Sequence, residues 1–226
     1  MSEFTPHLSS TSRSHSPIGV ASVPLPRRLL IWLTAGVAGT LSFPIVYLIE
    51  GATRSGYNPW QETISSLSFG PTGWIQRLNF IVLGIGVLWL TFVWGKILRG
   101  GKSAIWYPIL RGIEGLGLVA IGFLIEDPLH TACLIVIVNA MSFGLFVIAR
   151  RFWSNPEWHG WGAFSVACGL WPMVVMPFFG MALNPHSVLN PYAGLFERLA
   201  TNADTVWGVI MLIPLWAGKR LMASTK

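Results

Sequence analysis

The sequence predicts an all-α, polytopic membrane helix bundle, with six transmembrane helices and two short interfacial helices in the outer loops. Three observations carry that prediction. Of 226 residues, 53% are hydrophobic and 11% are charged, with a mean hydropathy of +0.58. A soluble domain carries about 25% charged residues, so lipid must solvate much of this chain. The apolar residues fall in six stretches, each near the roughly 20 residues that a membrane-crossing helix needs. Eleven of the 15 Lys and Arg residues lie in segments on one side of those stretches. A transmembrane barrel would show short alternating segments instead.

Taken in order, residues 1–26 are rich in Ser, Thr and Pro and read as a disordered cytoplasmic tail. They lack the short apolar core and small-residue cleavage site of a signal peptide. The Arg27-Arg28 pair then anchors the first span. A single transmembrane domain over 27–221 holds spans at about 29–49, 78–94, 104–125, 131–149, 161–183 and 204–221, and 222–226 form a second cytoplasmic tail. Segments one, three, five and seven contain Arg13, Arg27 and Arg28; Lys96, Arg99 and Lys102; Arg150 and Arg151; and Lys219, Arg220 and Lys226. The positive-inside rule therefore places both termini in the cytoplasm of a cell whose inner membrane the chain crosses. Only Arg54, Arg77, Arg111 and Arg198 fall elsewhere. The net charge of +6 is thus a topological signature. Nucleic-acid binding would need a clustered basic soluble face, and none is present, so the lipid bilayer is the expected partner.

The connections at 95–103, 126–130 and 150–160 are short, while those at 51–77 and 184–203 are long. Long loops usually carry structure or function of their own. Each contains Asn-Pro followed by an aromatic residue: Asn58-Pro59-Trp60 and Asn190-Pro191-Tyr192. Asn as N-cap and Pro at the first helical position predict a helix start. In the first loop Trp60, Ile64 and Leu67 recur at helical spacing and Gly70-Pro71 ends the run. In the second, Leu195, Phe196 and Leu199 form an apolar face beside Glu197 and Arg198. Both predict short amphipathic helices lying in the outer interface or roofing the bundle. Pro172 and Pro177 mark span five as the expected irregular helix. Gly84, Gly86, Gly115 and Gly117 suit close helix packing. Cys133 and Cys168 differ by roughly 15 Å in expected depth, too far for a disulfide.

Arg111 and Glu114 are the sharpest polar pair. At i and i+3 they share one face of span three. Glu114 falls near the span midpoint, where an ionised side chain is costly and usually functional. Arg111 is close enough to the cytoplasmic end to snorkel. The pair is either a polar site or a neutralised structural contact, and Asn139 is placed to extend it or to bond a neighbouring helix. Glu126, Asp127 and His130 cluster at the outer mouth, at the depth expected for Glu62, His186 and Asp204. Their spacings match no metal motif, and no metal or cofactor is assigned. The Ser65-Ser66 pair has no adjacent base in sequence and reads as a helix surface. A phosphate-binding glycine loop, a nucleophile elbow and a Cys-x-x-Cys motif are all absent.

The segment Gly56 to Gly86, with Tyr57, Pro59, Ile64, Ser65, Leu67, Gly70, Pro71, Gly73, Trp74, Asn79 and Phe80, resembles the hallmark of the family called domain of unknown function 998. Further agreement comes from Phe123, Asp127-Pro128, Arg150-Arg151-Phe152, Gly194, Arg198 and Trp207. The resemblance implies a prokaryotic six-span integral membrane protein and assigns no activity. It also implies a longer connection between Asp-Pro and His, often with two histidines, whereas here Asp127-Pro128-Leu129-His130 is short with one.

These readings converge on an outward-facing polar pocket that engages a lipid or amphipathic small molecule. Glu62, Ser65, Asn79, Asp127, His130 and Arg198 stand at its mouth, with Arg111 and Glu114 beneath. A regulatory or lipid-handling protein is the leading expectation. A membrane-embedded enzyme acting on a lipid or isoprenoid, and a small permease, are the alternatives. An enzyme needs titratable groups converging at the mouth, and a permease needs a polar path continuing below Glu114.

Overall fold

The computed structural model describes residues 25–125 and 128–218. The tails, and the Glu126-Asp127 pair of the expected outer cluster, lie outside the described residues. Every regular element among the described residues is helical. The helices are α1 (Arg27–Thr53), α2 (Gly73–Ile97), α3 (Ser103–Phe123), α4 (Leu129–Trp153), α5 (His159–Ala182), α6 (Ala193–Thr201) and α7 (Ala203–Trp216). Six segments are long and apolar enough to cross a membrane, the sixth being Asn190–Trp216, which spans α6 and α7 together.

Short connections force sequential helices to pack as antiparallel neighbours. The order α1-α2-α3-α4-α5-α7 closes into a ring, with α7 returning against α1. Glycine permits a close approach of two backbones here: a Cβ on Gly84 of α2 would sit 2.7 Å from the Gly115 carbonyl oxygen of α3. Large apolar side chains such as Leu116, Phe123 and Ile135 remain exposed on the outside of the ring, as lipid solvation allows.

The interior divides into two apolar clusters. At the end bearing the loops 98–102 and 154–158, Leu33, Trp94, Tyr107, Leu145, Phe152, Trp158 and Trp207 pack together. Towards the long loops, Phe43, Ile64, Leu67, Phe80, Leu118 and Ile137 form the second cluster.

Two elements depart from the sequence reading. Helix α5 runs unbroken through Pro172 and Pro177, and the interruption falls in the last span instead. There Asn202 turns its amide back to the Arg198 carbonyl (2.7 Å) and also donates to the Tyr47 hydroxyl (2.7 Å). A side-chain amide that bonds the carbonyl four residues back competes with the next helical turn. Fourteen residues make α7 about 21 Å long, short of the roughly 30 Å hydrocarbon core. Its first turn, which holds Asp204, is therefore set below the loop end of the bundle.

The second departure is in the first long loop, where a four-residue 3₁₀ turn, Ser65–Ser68, replaces the expected amphipathic helix. The start signal is present: Asn58 Oδ1 accepts from Trp60 N, and Glu62 Oε1 accepts from Asn58 N. Propagation fails because the backbone is bonded to α6. The carbonyls of Trp60 and Gln61 accept from Leu195 N (3.0 Å) and Gly194 N (3.2 Å), and Ile64 N donates to the Glu197 carboxylate. Those groups would otherwise have closed the first helical turns.

Candidate functional site

Three helices enclose a charged cluster deep in the bundle. Arg111 and Glu114 lie one turn apart on α3, and Asp204 lies in the first turn of α7, where the helix dipole favours a carboxylate. Arg111 Nη1 is 2.6 Å from Glu114 Oε2, and Nη2 is 2.7 Å from Asp204 Oδ2. Arg111 and Glu114 are each 2% exposed, and Asp204 is 8% exposed. Arg111 therefore does not snorkel, contrary to the sequence expectation. Gly144 of α4 makes room for it, since a Cβ there would meet Arg111 Cδ at 3.1 Å. The partner that holds it inside is Asp204, which sequence depth had placed at the mouth. Asp204 Oδ1 has no hydrogen-bond partner.

Above this cluster lies a cavity of about 40 Å³, room for roughly three waters at 10–15 Å³ each. Its floor is Glu114, Asp204 and Thr205; its walls are mainly apolar, including Phe80 and Met141; its roof is Ser65, Glu197 and Thr201. On the other side of Arg111, a void of about 10 Å³ is closed by Trp94, Tyr107 and Trp207. Trp207 is fixed by donating Nε1–H to Ser165 Oγ at 2.9 Å.

The roof is the docked pair of long loops. Glu197 is buried on the inner face of α6 and accepts from Ile64 N and from Ser65 Oγ (3.4 Å). Ser65 Oγ also lies 3.0 Å from His130 Nε2. The base that sequence reading could not find beside Ser65 is thus His130, 65 residues away.

Of the other expected site residues, Arg198 and Glu62 build the roof and Asn79 joins two helices, and none of the three lines the cavity. Arg198 donates to the carbonyls of Glu62 (2.9 Å) and Gly194 (2.8 Å) and to the Tyr57 hydroxyl. Its guanidinium carbon is 5.5 Å and 5.7 Å from the ring centroids of Tyr47 and Tyr57. Burial pushes the Tyr57 hydroxyl above its ordinary pKa, an effect that Arg198 partly offsets, and the neutral phenol bonds the Thr63 carbonyl at 3.0 Å. Glu62 contributes its carbonyl to Arg198, while its carboxylate is spent on Asn58 N. Asn79 ties α2 to α1 by donating to the Phe43 carbonyl at 3.1 Å. Asn139 bonds the Ile135 carbonyl of its own helix, and His186 is exposed in its loop, so neither joins the cluster. Among the described residues, no three of His, Cys, Asp and Glu converge in a way that would hold a metal ion. Cys133 and Cys168 are free thiols.

Sequence reasoning missed Glu197 and Asp204 as site residues. One signal was available for Asp204: it is an acid opening an apolar run two residues after Asn202, residue types that suit a helix start within a span, although the Asn202 side chain bonds backward and does not cap α7.

Comparison with known proteins locates the chain without assigning a chemistry. The model of the family described as "Protein of unknown function (DUF998)" matches residues 37–213, a stretch that contains every site residue named above. No curated protein and no solved structure matches the chain. With most of its length matched, the chain belongs to that family.

Proposed function

We propose that this member of the family of unknown function is a multi-pass membrane protein whose cavity faces outward and takes the polar head of a lipid or amphipathic small molecule. The head favoured by the geometry carries an ammonium or another strong hydrogen-bond donor. One observation carries this reading: two carboxylates, Glu114 and Asp204, share a single guanidinium at the cavity floor. Arginine keeps its proton, so the cluster is neutral when one of the two acids takes up a proton, and with both ionised it bears one uncompensated negative charge that a bound cation would balance in the proton's place. An unpaired charge in a low-dielectric interior costs several kcal/mol. A cation entering the cavity removes that cost and supplies a partner to Asp204 Oδ1, while the apolar walls suit the first carbons of a chain.

The outward orientation rests on the basic residues of the short loops. It is strengthened by the four arginines that lie off the basic side. Arg54 binds the carbonyls of Ser66, Leu67 and Phe69. Arg77 binds that of Ser68, Arg198 binds those of Glu62 and Gly194, and Arg111 is ion-paired. Each has a fixed structural task, so none argues against the topology. In this orientation α6 and the first long loop sit at the outer interface as a roof. The permease reading loses its support, because Trp94, Tyr107, Trp207 and the apolar cluster beyond them fill the inner half.

The enzyme reading keeps one specific observation, the 3.0 Å contact of Ser65 Oγ with His130 Nε2. A hydroxyl within hydrogen-bond reach of a base is the geometry of an activated nucleophile. Here, however, the carboxylate bonds the serine rather than orienting the histidine.

Thermal unfolding of the purified protein with dodecylamine and with dodecanol tests the proposal. A ligand present at 100 times its Kd stabilises by about 2.7 kcal/mol. The amine is expected to raise the melting temperature where the alcohol does not, and Asp204→Asn is expected to weaken the amine effect at least tenfold in apparent Kd. Equal responses to amine and alcohol, or an unchanged response in Asp204→Asn, would refute the reading.

A further inference from the structure

Between the loop end of α1 and the start of α2 lies a surface groove of about 440 Å³, separate from the cavity beneath the roof. Val46, Ile49 and Ile75 supply its apolar lining, and Glu50, Thr53 and Thr72 its polar groups. Glu50 is 6% exposed, yet neither carboxylate oxygen has a hydrogen-bond partner. A buried polar group without a partner costs about 1–3 kcal/mol, more if charged, so its retention in a helix that is otherwise free to be apolar needs an explanation. Arg54 also borders the groove, but it points its donors at the carbonyls of Ser66, Leu67 and Phe69 and leaves Glu50 unbonded.

Glu50 thus lines the groove with an unpaired carboxylate whose oxygens are closed to solvent in this conformation, so a ligand reaches them by a rotation of the side chain towards the groove, with a fixed positive charge beside it. Ile49, 60% exposed, stands next to Glu50 on the lipid-facing side of α1. A ligand that matches all three features has a cationic donor, an anionic group one short linker away and an acyl chain.

We infer that this groove binds a phospholipid whose head carries a primary ammonium, with the ammonium on the Glu50 carboxylate, the phosphate on the Arg54 side, and the acyl chain along Val46, Ile49 and Ile75. A primary ammonium brings three N–H donors, enough to satisfy both carboxylate oxygens. A trimethylammonium head brings none, and a glycerol head brings no positive charge. The selectivity is thus set by hydrogen bonding as well as by charge. This inference does not depend on the cavity reading, because the two sites share no lining residue.

Native mass spectrometry of the full chain, released from nanodiscs of defined lipid, tests it. Phosphatidylethanolamine, phosphatidylcholine and phosphatidylglycerol are supplied in equal amounts. The wild type is expected to retain phosphatidylethanolamine at least tenfold over the other two. Glu50→Gln, with its melting temperature checked, is expected to lose that preference, and Asp204→Asn to keep it. Ile75→Trp fills the groove without touching the carboxylate and is expected to displace the lipid even if Glu50→Gln does not fold. Equal retention of the three lipids by the wild type, an undiminished preference in Glu50→Gln, or bound phosphatidylethanolamine in a folded Ile75→Trp would each overturn the inference. So would a dimer that forms through the groove and excludes lipid.

Discussion

Arg111 holds two carboxylates at once, and this asymmetry fixes how substitutions at the three positions must behave. Removing the arginine leaves Glu114 and Asp204 buried together without a counter-charge, whereas removing one acid leaves a matched pair. Breaking a buried ion pair by deleting one partner typically costs about 3–5 kcal/mol. Arg111→Met is therefore expected to lose about that much unfolding free energy, measured in detergent by chemical denaturation. Asp204→Asn should change stability by less than about 1 kcal/mol. Adding Glu114→Gln and Asp204→Asn to Arg111→Met should restore most of the loss. A mild Arg111→Met, or a severe Asp204→Asn, would mean that the cluster is not short of positive charge. The i, i+3 spacing of Arg111 and Glu114 made their contact legible in the sequence. Asp204 was not legible as their partner, because its depth follows from the break at Asn202. That break is a side-chain hydrogen bond, and no hydrophobic pattern records it.

The two long loops act as one element because each satisfies the backbone of the other. Gly194 lies at the centre of that contact: a Cβ there would stand 2.2 Å from the Glu62 carbonyl oxygen and 2.6 Å from that of Pro59. Neither backbone oxygen can yield without undocking the loop. Gly194→Ala is expected to cost about 1–3 kcal/mol, as overpacking does. It should also speed hydrogen exchange at the Ile64 amide by more than tenfold while leaving amides in α3 unchanged. Unaltered exchange at Ile64 would show that the loops are held together by something else. Trp60, Ile64 and Leu67 signalled one apolar face, and Ile64 and Leu67 are fully buried while Trp60 is 57% exposed. The same spacing implied a helix, and that failed because the partners of this backbone lie more than 130 residues away. The Ser65–His130 contact was hidden for the same reason: each residue is unremarkable within its own segment.

Across the whole molecule, the ring of helices is open in chemistry at one end and closed at the other. The six spans were legible from composition and apolar length alone, because lipid solvation imposes both on any helical membrane protein. The closure by Trp94, Tyr107 and Trp207 was not legible, since aromatic residues in a span read equally well as belt, packing or lining. In a background of Cys133→Ala and Cys168→Ala, Pro71→Cys is expected to react with a membrane-impermeant maleimide on intact cells. Gly101→Cys should react only after permeabilisation. The reverse pattern would invert the orientation and place the cavity on the cytoplasmic side.

The central claim is that the cavity over Glu114 and Asp204 holds a cationic head. Native mass spectrometry of protein purified from its own membrane, wild type against Asp204→Asn, tests it most directly. The account predicts a bound molecule containing a basic nitrogen that survives in the wild type and is lost from Asp204→Asn. Identical bound species in the two proteins, or a retained molecule bearing only acidic groups, would contradict it.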